Sequence, residues 1–209
     1  MPDAFAVVRD FERAVAEYTG APYCVAVNSC TMAILLSCKY LNVQDVEIPK
    51  RTYVSVPMSI MHAGGRVRFR DEDWKGHYEL RPYPILDSAR LFSSGMYVSG
   101  SFMCVSFHWS KTLGIQQGGA ILHDNKEADQ WFRKARFDGR TEGVPPKDDT
   151  FILGYHCYMS PEIAAEGLVR LSFLPKHNDP LPNSDYPDLS QVPLFRTSLP
   201  KSPATTAAA

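Results

Sequence analysis

Lys111 closes the stretch Ser106-Phe107-His108-Trp109-Ser110-Lys111, which follows the apolar run Phe102-Met103-Cys104-Val105. Beyond it come Gly118-Gly119 and a second apolar run, Ala120-Ile121-Leu122. This pattern predicts a strand, a turn and a strand, with the lysine held in the turn. An amine placed there and shielded from water loses proton affinity and becomes a nucleophile toward carbonyl carbon. The same residues also describe a solvated lysine in a loop, which is the ordinary place for one.

Two other stretches carry chemistry. Asn28-Ser29-Cys30-Thr31 stands between the apolar run Tyr23 to Val27 and a longer one, Met32 to Tyr40. A strand running through capping residues into a helix start presents free N–H groups and hydroxyls, the usual makings of a phosphate site. Simple capping needs the same residues. Asp87 ends the run Pro84-Ile85-Leu86. In open α/β sheets ligands bind outside the carboxyl ends of strands, so a strand-terminal carboxylate is well placed for chemistry. It serves equally as a cap for the next turn.

The elements that would position these residues alternate. Helical spacing of Phe5, Val8, Phe11 and Val15, with Arg9, Glu12, Arg13 and Glu17 opposite, predicts an amphipathic first helix ended by Gly20. Short strands are expected at Val46-Glu47-Ile48 and Arg66 to Arg70, with a helix from Thr52 to Ala63 between them. Residues 71–82 read as irregular loop. A charged amphipathic helix over 125–137 and a helix from Ser160 to Leu174 follow. Such βαβ alternation predicts a three-layer α/β/α fold with a mostly parallel sheet over residues 1–174. Recurrent prolines make residues 175–209 an extended or disordered tail.

The totals narrow the function. A net charge of −1 over 209 residues offers nothing to nucleic acid or an anionic membrane surface. No apolar run approaches the roughly 20 residues of a membrane span, and no signal-peptide core opens the chain, so a soluble cytoplasmic protein is expected. The five cysteines lack C-x-x-C spacing and read as reduced, buried small hydrophobes, with no metal expected.

Taken in order, Val25 to Thr31, Ile85-Leu86-Asp87-Ser88-Ala89, and Ser106-Phe107-His108 with Lys111 and Gly118-Gly119 resemble the DegT/StrS family of nucleotide-sugar aminotransferases, pyridoxal phosphate enzymes of fold type I. Ile48-Pro49 to Ser55 and Gly154-Tyr155 to Ala165 are similar to further segments of that family. The resemblance spans about residues 8–174 and implies a shortened fold-type I large domain. It departs from the family at Arg90, where a His or Gln is usual, at Gln117 in place of an acid, and at His156-Cys157-Tyr158. It also lacks one strand–helix unit between Phe69 and Ile85, and the C-terminal domain after about residue 175.

What the resemblance implies is specific. Lys111 would join the cofactor aldehyde as a Schiff base and later move the substrate proton, and Asp87 would face the pyridine nitrogen. Thr31, the Met32 amide and Ser106 would hold the phosphate, Tyr53 would cover the ring face and Arg90 would reach the ring hydroxyl. The implied reaction moves an amino group, from an amino acid such as glutamate, to a keto sugar nucleotide in a homodimeric enzyme. A degenerate relative that binds the cofactor or a partner without transamination is the alternative.

Overall fold

The structure is a computed structural model and describes residues 3–183 and 185–196. Its centre is a five-stranded sheet in the order β1 (Tyr23–Val27), β7 (Gly119–His123), β6 (Phe102–Ser106), β5 (Ile85–Asp87), β4 (Tyr78–Glu79). A separate parallel pair, β2 (Asp45–Pro49) and β3 (Arg66–Arg70), is linked to it by a bridge between Glu47 and Arg81.

The expected mostly parallel sheet is corrected here. Only β5 and β6 pair in parallel within the central sheet; β1–β7, β6–β7 and β4–β5 are antiparallel. The reason lies in the connections. A parallel neighbour requires a crossover, usually helical, whereas residues 107–118 join β6 to β7 without a helix, so β7 folds back beside β6. The loop expected over 71–82 likewise contains β4, which returns to pair with β5.

Both faces of this sheet are covered. On one side Val25, Val27, Phe102, Cys104 and Ile121 pack against α2 (Cys30–Tyr40) and α4 (Lys126–Ala135). On the other, Cys24, Ala26, Met103, Val105, Ala120 and Leu122 meet α1 (Ala6–Thr19) and α5 (Pro161–Ser172). Alternate strand residues point to opposite faces, which is why neighbours in sequence fall into different cores. Small residues let α1 and α5 approach closely: a Cβ on Gly167 would stand 2.6 Å from the Phe11 ring. The remaining long helix, α3 (Ser55–His62), lies against α2 and carries Pro57 in its first turn, where its missing N–H costs nothing.

After α5 the chain runs along the body with little regular structure. Asn178 Nδ2 donates to Tyr18 Oη at 2.8 Å, the amide of Leu189 donates to Lys50 O at 2.9 Å, and Phe195 is buried against Phe69. The remainder of the expected tail, residues 197–209, lies outside the described residues. No described helix is long and apolar enough to cross a membrane.

Candidate active site

Strands β1, β5 and β6 run in the same direction, so their carboxyl ends meet at one edge, where β7 begins. Register brings Val27 opposite Gly119 and Gly119 opposite Ser106, with Cys104 beside Asp87. That edge opens into a cavity of about 660 Å³. Thr31, Tyr53, Asp87, Arg90, Ser106 and Lys111 all line it. Of the residues singled out from the sequence, Met32 is not among the lining. Its amide donates instead to the N-cap oxygen Ser29 Oγ at 3.2 Å.

The helix start enters the cavity because Gly119 has no side chain. A Cβ there would lie 2.4 Å from the Cys30 amide nitrogen, so only glycine lets α2 begin this close to β7. Thr31 Oγ1 shares a 2.8 Å hydrogen bond with Ser55 Oγ, and Ser59 Oγ donates to Thr31 O at 3.2 Å, fastening α3 to the same corner. Partial positive charge at the α2 N-terminus and these hydroxyls favour an anion.

Lys111 is half-buried in the 107–118 turn, its amide donating to His108 O at 2.8 Å. Burial, reinforced by the nearby charge of Arg90, lowers its pKa below that of a free lysine. Asp87 is buried, and burial raises its pKa, opposed by hydrogen bonds from Tyr78 and the Ala89 amide and by Lys111. Oδ2 accepts from Tyr78 Oη at 2.7 Å and Oδ1 from the Ala89 amide at 3.0 Å. Arg90 Nε is buried with no hydrogen-bond partner in the described protein, and the residue lines the cavity.

Several residues at the site were not legible beforehand. Trp74 and Tyr186 line the cavity with rings stacked at 6.2 Å, the second carried by the segment after α5. Tyr78 and Thr52 stand behind Asp87. Tyr78 had no motif to mark it; its role follows from pairing opposite Asp87. Gln117, Cys30 and His108 also face the cavity. Cys30 is half-buried and its thiol is pushed well up by burial, so it is a poor nucleophile here.

The geometry can be set beside known proteins. A curated relative, the UDP-4-amino-4,6-dideoxy-N-acetyl-beta-L-altrosamine transaminase of Campylobacter jejuni, is 24% identical over 82% of this chain and 57% of its own length. Among solved structures, the sugar aminotransferase CalS13 from Micromonospora echinospora aligns with a TM-score of 0.68 at 16% identity, over 80% of this chain and 61% of that one. NtdA from Bacillus subtilis, with bound cofactor PMP, aligns at 0.67 and 18%, over 80% and 48%. The chain thus spans roughly half to three-fifths of these relatives. Low identity makes the structural matches statements about fold, which is that of the α/β aminotransferases. The model for the DegT/DnrJ/EryC1/StrS aminotransferase family matches residues 5–82 and 95–180, most of the described residues, and the chain belongs to that family.

Proposed function

We propose that this chain forms the cofactor-holding part of a pyridoxal phosphate-dependent aminotransferase that passes an amino group from an amino acid, glutamate being the expected donor, to a keto sugar nucleotide. The observation that carries the reading is Lys111 and Asp87 lining one cavity, a half-buried amine in the turn after β6 and a buried carboxylate at the end of the adjoining β5. The cavity fits the cofactor by its polar groups: an amine, an accepting carboxylate, a helix start with Thr31, the Ser106 hydroxyl, and an arginine whose Nε has no protein partner. Its volume is within the ordinary range for small-ligand sites.

When bound, the cofactor supplies a carbonyl carbon for amines and a ring that withdraws electrons. The chain's own residues do the rest. Lys111 offers an amine that gives up its proton more readily than a free lysine and so serves as nucleophile and then base. Asp87 would present a carboxylate to the ring nitrogen, Thr31 and Ser106 would donate to the phosphate, Tyr53 would cover a ring face, and Arg90 would donate to the ring hydroxyl. Loss of the family's acid at Gln117 favours the alternative, a relative that binds cofactor without turnover.

Two further parts of the proposal concern setting. Five free thiols support a reducing compartment, and in this reading that compartment is the cytoplasm. Trp109, two residues before Lys111 and 70% exposed, suits burial by a second copy in a homodimer. Residues 1–174 form the α/β unit in this reading, and the Pro-rich residues 175–209 a tail outside it.

Mixing the purified protein with pyridoxal phosphate tests the assignment. A lysine-bound absorbance band is expected that Lys111→Ala abolishes while circular dichroism stays unchanged. Absence of the band, or its survival in Lys111→Ala, would refute it. Adding glutamate then separates the two readings: conversion of the band to that of the aminated cofactor is expected of an enzyme, and a fixed band is the signature of the binding-only relative.

A further inference from the structure

Asp87 does not stand alone beneath the cavity. It pairs with Tyr78 across the antiparallel β4–β5 ladder, and opposite residues in such a ladder share a face. Tyr78 Oη reaches Asp87 Oδ2 at 2.7 Å, and Thr52 Oγ1 is hydrogen-bonded to the same phenol oxygen. All three residues are buried, at 4%, 4% and 1% exposure for Asp87, Tyr78 and Thr52.

Counting protons gives the chain a direction. An ionised Asp87 only accepts, so the single phenol hydrogen of Tyr78 is committed to it. Thr52 must therefore donate its hydroxyl hydrogen to Tyr78. Burial and the neighbouring carboxylate push the phenol well above its ordinary pKa, which keeps Tyr78 a donor across all working pH. Groups facing Asp87 from other elements are Lys111 in the 107–118 turn, Cys30 on α2 and Cys104 on β6. Both thiols are held protonated by burial, leaving Lys111 as the cation among them.

We infer that Tyr78, backed by Thr52, is the positioning residue of this site: the directed chain Thr52 to Tyr78 to Asp87 holds the carboxylate ionised and fixes which way its oxygens point. The chain rests on the reading of Asp87 as the partner of a cofactor ring nitrogen for its purpose, though not for its existence. Its physical basis is that a charge-assisted hydrogen bond favours the charged form of the acceptor, offsetting the desolvation that favours the neutral acid. The second bond, from the Ala89 amide, holds the other oxygen. Removing Tyr78's hydroxyl leaves that amide and Lys111 to oppose burial.

The test needs no cofactor. Carbon-13 labelling of aspartate carboxyls, with Asp87→Asn to assign the signal, gives the Asp87 titration in the full chain. In Tyr78→Phe the proton affinity of Asp87 is expected to rise about tenfold or more, the scale of a hydrogen bond to a charged group. Thr52→Val should give a smaller rise in the same direction, and Thr52→Ser should restore the original curve. An unchanged Asp87 titration in folded Tyr78→Phe overturns the proposal. Should that variant not fold, an unchanged titration in Thr52→Val does so. With pyridoxal phosphate bound, the pH dependence of the absorbance should shift with the same ranking. An Asp87 response without any absorbance band upholds the chain and removes the cofactor reading, so the two fail separately.

Discussion

The carboxylate of Glu12 on α1 lies 2.7 Å from Nη1 of Arg133 on α4. Its other oxygen accepts the Ala26 amide at 2.8 Å and is paired with the buried Arg136. This joins α1, β1 and α4 through one buried acid. Glu12→Gln keeps the shape and removes the charge, leaving Arg136 buried without its main counter-ion. The expected loss is about 3–5 kcal/mol of unfolding free energy, the cost of breaking a buried pair from one side. Urea denaturation measures it.

Glu12 also makes a statement about acid. Burial works against its ionisation, yet Arg136 and Arg133 outweigh this and hold its carboxyl below the ordinary value. A group depressed in the folded state contributes stability above its unfolded pKa and loses it as pH falls through the folded one. Melting temperature should therefore drop below about pH 4.3. Glu12→Gln should be less stable at neutral pH and show a shallower fall in that range.

A second acid-sensitive element is His123. Its ring is fully buried among Tyr23, Phe102 and Phe132, and burial pushes its pKa down to about 4. The unfolded chain binds a proton first, so stability should fall as pH drops from about 6.5 to 4, by at most about 3 kcal/mol. His123→Phe should flatten that limb while leaving the fall below pH 4 intact. A limb unchanged by the substitution would show that other groups produce it.

Lys111 is held at a cost. Its pKa is lowered in the folded chain by burial and by Arg90, so at neutral pH the protonated amine favours unfolding. Lys111→Met should raise the melting temperature near pH 7, with the gain shrinking as pH rises through the folded pKa. No gain at any pH would mean that the amine is effectively solvated.

Gly119 should tolerate no side chain. Gly119→Ala sets a Cβ 2.4 Å from Cys30 N and 2.8 Å from Val105 O, both backbone atoms that cannot rotate away. A loss of about 2–4 kcal/mol is expected. Gly95→Ala, where a Cβ meets nothing within 4 Å, carries only the strain of its positive φ and should cost less.

Much of this was legible because local chemistry and local structure agreed. Ser29 and Asn125 cap the helices their positions suggest, accepting from Met32 and Ala128, and Gly20 ends α1 at φ 78°. The strand ends carrying Asp87 and Ser106 could be read from apolar runs that stop at polar residues. Strand direction could not, because it depends on whether a connection crosses over, and the β6–β7 link holds a lysine turn instead of a helix. Glu12 was read onto a solvated helix face, since helical spacing reports an angle around the axis and says nothing of two arginines 121 and 124 residues away. Tyr78 was hidden for a related reason: a two-residue strand has too little period to see.

The cavity is built from two kinds of chain. Its floor, Asp87, Ser106 and Gly118, sits at the ends of strands β5 to β7 that are buried on both faces. Its rim, Tyr53, Trp74 and Tyr186, comes from segments outside those strands. Sequence variation should therefore partition: a saturation scan scored for folding would find the floor nearly immutable and the rim permissive. A lineage carrying this scaffold can exchange what it grips at the rim without renegotiating the chemistry below.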